Sequence, residues 1–107
     1  MRQLAAGVCI SMLLTSVHAG MPDAARQVEL LSILQQDCGS CHGLTLKGGL
    51  GPSLLPDHLL GKSREALAAT VRDGRPGTAM PPWGPILDDA EINWMVDQIL
   101  AGKGAPK

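Results

Sequence analysis

Phenylalanine and tyrosine are absent from all 107 residues, and tryptophan occurs only twice. The length allows one small domain. A small domain without aromatics lacks its usual interior filler, since each such ring buries roughly 150–250 Å². Domains of this size are marginal even with a good core, and they often depend on a staple. Cysteine is scarce as well, at three residues. Strong charge of either sign is missing: nine Lys/Arg stand against ten Asp/Glu, for a net charge of −1. That balance argues against a nucleic-acid partner, which calls for a basic domain. Beyond residue 19 there is no apolar run long enough to be a membrane span.

The one long apolar run lies at the start. Arg2 precedes LAAGVCISMLLTSV (4–17), and Val17-His18-Ala19 offers a small-x-small cleavage site before Gly20. Residues 1–19 therefore read as an export signal, too short to cross a bilayer as a helix. Cys9 sits early in that run, far from the cleavage site, which argues against a lipid anchor. The expected product is a periplasmic domain of residues 20–107. It keeps Cys38 and Cys41, His42 and His58, and Met21, Met80 and Met95. A disulfide between Cys38 and Cys41 would close too short a loop to stabilise the domain much. Something else is expected to fill its centre.

Three helices are legible. Residues 24–37 follow Pro22-Asp23, a helix start, and Val28, Leu30, Leu31, Ile33 and Leu34 predict a broad apolar face. Residues 64–73 lie between Ser63 as N-cap and Gly74 as stop. The last helix opens on Asp88 with Glu91 three residues on, a capping-box pattern. Ile92, Met95, Val96, Ile99 and Leu100 then form one stripe, and Gly102 ends it. Between these lie two loops: 43–61, rich in Gly and Pro with one short helical turn expected, and GRPGTAMPPWGP (74–85), stiffened by four prolines. No strand pattern or repeat is visible. The expected fold class is all-α.

The chemistry concentrates in CGSCH (38–42). A thioredoxin-like dithiol needs a strand–helix setting, and no strand is predicted. A zinc site needs four ligands, and there is no second Cys pair. In an exported chain, Cys-x-x-Cys-His is the attachment pattern of a c-type haem. Cys38 and Cys41 reach the two vinyl groups of one porphyrin, and His42 follows as an axial iron ligand through Nε2. One covalent haem c would also replace the missing aromatics as core filler.

A sixth iron ligand has four candidates. Met95 lies on the apolar stripe and reads as core filler. Met21 stands at the start of the mature chain, and His58 occupies a Pro-Asp loop where solvation is its ordinary state. Met80, in GTAMPPW, has small neighbours before it and Pro81-Pro82 behind it. It lies 38 residues beyond His42 with a helix between, enough chain to reach the opposite haem face. Met80 is the preferred candidate, with His58 or an open site as the alternatives. Three further residues are candidates around the haem. The Pro52 carbonyl would orient His42 through Nδ1–H, the Trp83 indole N–H would reach a propionate, against plain core packing, and Arg75 would pair with one, against a solvated role.

CGSCH, Gly51-Pro52, a Met-Pro loop and an amphipathic final helix together resemble the class I cytochromes c, over essentially residues 23–102. The resemblance implies a haem-centred core with the first and last helices crossing, covalent attachment at Cys38 and Cys41, and axial ligands His42 and Met80. It departs at Gln98, where the family often has an aromatic; Trp94 is the candidate substitute. DCGSCHGLTLKGGLGP and GRPGTAMPPW are further similar to the small periplasmic monohaem cytochromes of denitrification gene clusters, the NirC type. That likeness implies a one-electron carrier, not an enzyme, whose redox partner is cytochrome cd1 nitrite reductase or the machinery that matures its d1-type haem. A monomer is expected.

Two other classes compete. A haem enzyme or gas sensor needs an open or displaceable sixth site, and no acid–base constellation accompanies the haem motif. A permanently docked subunit needs a contiguous apolar surface. Lys47, Lys62, Arg64, Arg72 and Arg75 also fall in residues 43–80, whereas Asp88, Asp89, Glu91 and Asp97 crowd the last helix. A basic steering face is one reading of this, ordinary solvated surface the other.

Overall fold

The structure, a computed structural model, describes Gly7 and residues 20–106. The export signal read over residues 1–19 thus lies outside the described residues, Gly7 apart. Among the described residues four α-helices form: α1 (Ala24–Ile33), α2 (Gly39–His42), α3 (Arg64–Asp73) and α4 (Asp89–Leu100). No strand occurs among the described residues, so the all-α expectation holds.

Each long helix starts where its capping chemistry places it. The Asp23 carboxylate accepts the Arg26 N–H at 2.8 Å, and the Ser63 hydroxyl accepts the Ala66 N–H at 3.1 Å. At α4 the capping box is complete. Asp88 accepts the Glu91 N–H at 2.8 Å, and the Glu91 carboxylate accepts the Asp88 N–H at 3.2 Å. These bonds satisfy N–H groups that have no partner within a helix. Gly74 and Gly102, both at positive φ, end α3 and α4 as expected.

The first helix continues beyond residue 37 into the CGSCH segment. It passes through one π-helical turn, Leu34–Cys38, and runs on as α2 to His42. A π turn spends one more residue than an α turn and so rotates everything after it. The rotated segment here is the CGSCH motif.

The core gathers Leu30 and Leu34 from this helix, Leu59 from the connecting loop, Ala68 from α3 and Leu87 ahead of α4. From α4 itself come Ile92, Trp94, Met95, Val96 and Ile99. Complete burial of an Ile, Leu or Val is worth about 1.5–3 kcal/mol, so Leu30, Leu34, Ile92 and Val96 anchor the fold. The apolar face of α1 is narrower than predicted: Val28 is 69% exposed, because it stands roughly 160° around the helix from Leu30. α4 packs on both α1 and α3, which explains why Trp94, off the predicted stripe, is also buried. It puts an aromatic in the core, whereas Gln98 is only half-buried.

The apparent segregation of charge disappears on folding. Arg64 forks onto Asp97 at 2.5 and 2.9 Å, and Arg72 meets Asp89 at 3.3 Å, so α3 and α4 neutralise each other. Arg26 pairs with Glu91 across α1 and α4. Lys47, Lys62 and Arg75 remain without an ion pair among the described residues.

Candidate functional site

Cys38 closes the π turn and Cys41 lies one turn later in α2, so their side chains fall near one face of the helix. Both thiols are free and half-buried. Cys38 packs against the core, and burial, reinforced by the charge of Asp37, pushes its thiol up to about 11. The Ser40 hydroxyl donates to the Asp37 carbonyl at 2.7 Å, holding the residues between the cysteines in the turn.

His42 ends α2 and is half-buried. Its Nδ1 lies 2.6 Å from the Pro52 carbonyl oxygen. A carbonyl only accepts, so the proton must sit on Nδ1, and Nε2 keeps its lone pair for a metal. The sequence expectation for Pro52 thus corresponds to an observed contact.

The loop that carries Pro52 folds back onto the motif. The Gly48 N–H donates to the His42 carbonyl and the Gly51 N–H to the Cys41 carbonyl, both at 2.8 Å, which satisfies the orphan carbonyls at the end of α2. Gly51 stands directly against the imidazole: a Cβ there would lie 2.9 Å from both Cε1 and Nδ1 of the His42 ring. Sequence reasoning assigns Pro52 its contact with His42 but misses the backbone bonds that fold this aperiodic loop onto the motif. The available signal was the crowding of glycines at 43, 48, 49 and 51 directly behind CGSCH. It also missed Leu46, which is 2% exposed yet holds φ +60. A bulky residue rarely adopts that conformation. Its carbonyl accepts the Leu54 N–H at 2.9 Å and the Ser53 hydroxyl at 3.2 Å, which pins the loop.

The remaining candidates form a second cluster on the 74–85 loop. This segment is tied to α3 by the Trp83 N–H donating to the Val71 carbonyl and the Gly84 N–H to the Arg72 carbonyl, each at 3.0 Å. Met80 is half-buried, and its carbonyl accepts the Arg75 N–H at 3.2 Å. Beneath it, Gly74 has φ 68 and ψ −168, a region essentially reserved for glycine. A Cβ there would stand 2.8 Å from the Met80 carbonyl oxygen. Trp83 packs against the core, and its indole N–H makes no hydrogen bond to the described protein. Arg75 is exposed. No hydrogen bond joins the two clusters among the described residues. Of the other sixth-ligand candidates, Met95 is buried in the core, Met21 is 66% exposed, and His58 is exposed in a short 3₁₀ turn, Pro56–His58.

The donor set fits a covalently held haem: two free thiols one turn apart, and an adjacent imidazole whose tautomer is fixed with Nε2 available. No cluster of three or more His, Cys, Asp and Glu side chains forms among the described residues, and no described helix is long and apolar enough to cross a membrane.

Residues 25–99 match the family described as cytochrome c oxidase, cbb3-type, subunit III. A cytochrome c55X of Pseudomonas aeruginosa is 56% identical over 85 residues, covering 79% of this chain and 71% of its own. A solved c-type cytochrome NirC is also 56% identical, with a TM-score of 0.77, over 79% of this chain and all of that one. The structure of the dihydro-heme d1 dehydrogenase NirN in complex with DHE is similar at 33% identity and a TM-score of 0.61. That match takes in 70% of this chain but only 16% of the larger protein.

Proposed function

The chain belongs to the cytochrome c55X, or NirC-type, family of small c-type cytochromes, and from that premise we propose that it is a periplasmic one-electron carrier serving nitrite reduction. The observation that carries this reading is the CGSCH turn, with the Nδ1 of His42 already bonded to Pro52. When bound, the haem supplies exchange of a single electron between Fe(II) and Fe(III). Cys38 and Cys41 would tether it through two thioethers, and His42 would ligate the iron through Nε2. Met80, presented by the stiff 74–85 loop, would supply the sixth ligand. Ligation by both side chains would leave no position open to a substrate, so the protein would act as a carrier rather than a catalyst. Trp83 and Arg75 offer an indole N–H and a guanidinium to the propionates.

The partner is cytochrome cd1 nitrite reductase or the proteins that mature its d1-type haem. Support for the second lies in the likeness to part of a dihydro-heme d1 dehydrogenase. A free copy of such a domain suits removal of electrons one at a time from a maturing d1 macrocycle. The test is a deletion strain grown under denitrifying conditions, from which nitrite reductase is purified and its d1-type haem measured. A depleted enzyme identifies the maturation role. A loaded enzyme with slowed nitrite reduction in cells identifies the donor role. Full loading with normal nitrite reduction contradicts the reading.

A further inference from the structure

We propose that Thr78 is a positioning residue that sets how firmly Met80 is held, without touching the iron itself. This rests on Met80 being the sixth ligand. The Thr78 hydroxyl donates to the Arg75 carbonyl at 2.7 Å and accepts the Met80 N–H at 3.3 Å. The Thr78 N–H reaches the same Arg75 carbonyl at 3.0 Å, and the Arg75 N–H reaches the Met80 carbonyl at 3.2 Å. One hydroxyl therefore ties the entry of the Met80 loop to the residue the loop presents.

Packing does not do this job. Thr78 is exposed, and a side chain built at neighbouring Gly77 would meet no atom within 4 Å. The loop tip thus rests on hydrogen bonds, of which the Thr78 hydroxyl makes two. If they are lost, the loop samples conformations in which Met80 is not presented. The apparent strength of ligation then falls with the competent fraction. One net hydrogen bond corresponds to about a fivefold change in that equilibrium.

The experiment titrates imidazole into the ferric, haem-loaded protein and records the sulfur-to-iron charge-transfer band. Wild type is compared with Thr78→Val, Thr78→Ser and Met80→Ala. In Thr78→Val, imidazole is expected to bind about fivefold more tightly and the band to weaken. Thr78→Ser restores both spectroscopic readouts. If Met80→Ala abolishes the band and tightens imidazole binding but Thr78→Val behaves as wild type, the Thr78 assignment is overturned and the Met80 reading stands. Failure of Thr78→Ser to restore the readouts overturns it equally. If wild type lacks the band and Met80→Ala changes nothing, the Met80 reading falls and this inference with it.

Discussion

The Nδ1–H of His42 donates to the carbonyl oxygen of Pro52 across 2.6 Å, and Gly51 brings the backbone against the same ring. The two contacts leave the imidazole one tautomer and little freedom to turn. A ligand fixed in this way before a metal is bound costs less to order when it binds.

Gly51→Ala places a methyl group where the His42 ring already stands, 2.9 Å away. Overpacking of this kind costs about 1–3 kcal/mol. The haem-loaded variant is expected to unfold at lower denaturant with an altered reduction potential. A midpoint and potential equal to wild type would mean that the loop does not hold the ring.

Gly74→Ala asks an L-residue to take φ 68, ψ −168, and sets its Cβ against the Met80 carbonyl. The backbone cost is about 1–3 kcal/mol, relieved by moving the Met80 segment. Loss or weakening of the sulfur-to-iron band at retained haem content is the expected result, read by absorption of the ferric protein.

Acid should act through the α1–α4 and α3–α4 ion pairs. The hydrogen bond from Arg26 holds the Glu91 carboxyl below its ordinary 4.5, and that from Arg64 holds Asp97 below 3.8. The unfolded chain therefore takes up these protons first as pH falls. The contribution is present above the ordinary values and is lost as pH drops through the folded ones. Glu91→Gln is expected to flatten the decline in denaturant midpoint between about pH 5 and about pH 3. A decline parallel to wild type would show that the pair contributes nothing.

Asp88→Ala removes one half of the capping box at α4. The expected cost is about 1 kcal/mol, and Asp88→Asn should recover most of it. Equilibrium unfolding of the loaded protein measures both.

The helices were legible because their signals are local. Asp23, Ser63 and Asp88 each bond the N–H three residues on, and Gly74 and Gly102 stop α3 and α4 where the sequence places those stops. CGSCH is equally self-contained, and the contact of Pro52 with His42 was legible because a histidine expected to ligate a metal needs an acceptor for its second nitrogen. What escaped the sequence is long-range. The π turn at Leu34–Cys38 has no residue signature of its own. Burial of Trp94 follows from α4 packing on two sides, and the pairing of Arg64 with Asp97 follows from how α3 lies along α4. Leu46 at φ +60 escaped because nothing in its identity announces a left-handed backbone.

The most direct test of the account combines the ferric spectrum with carbon monoxide added to the reduced, haem-loaded protein. Ligation by Met80 predicts a sulfur-to-iron charge-transfer band in wild type that is lost in Met80→Ala. It also predicts that carbon monoxide binds slowly or not at all until Met80 is replaced. Absence of the band, with rapid stoichiometric binding of carbon monoxide to wild type, would contradict a closed, six-coordinate carrier and point to an open iron site.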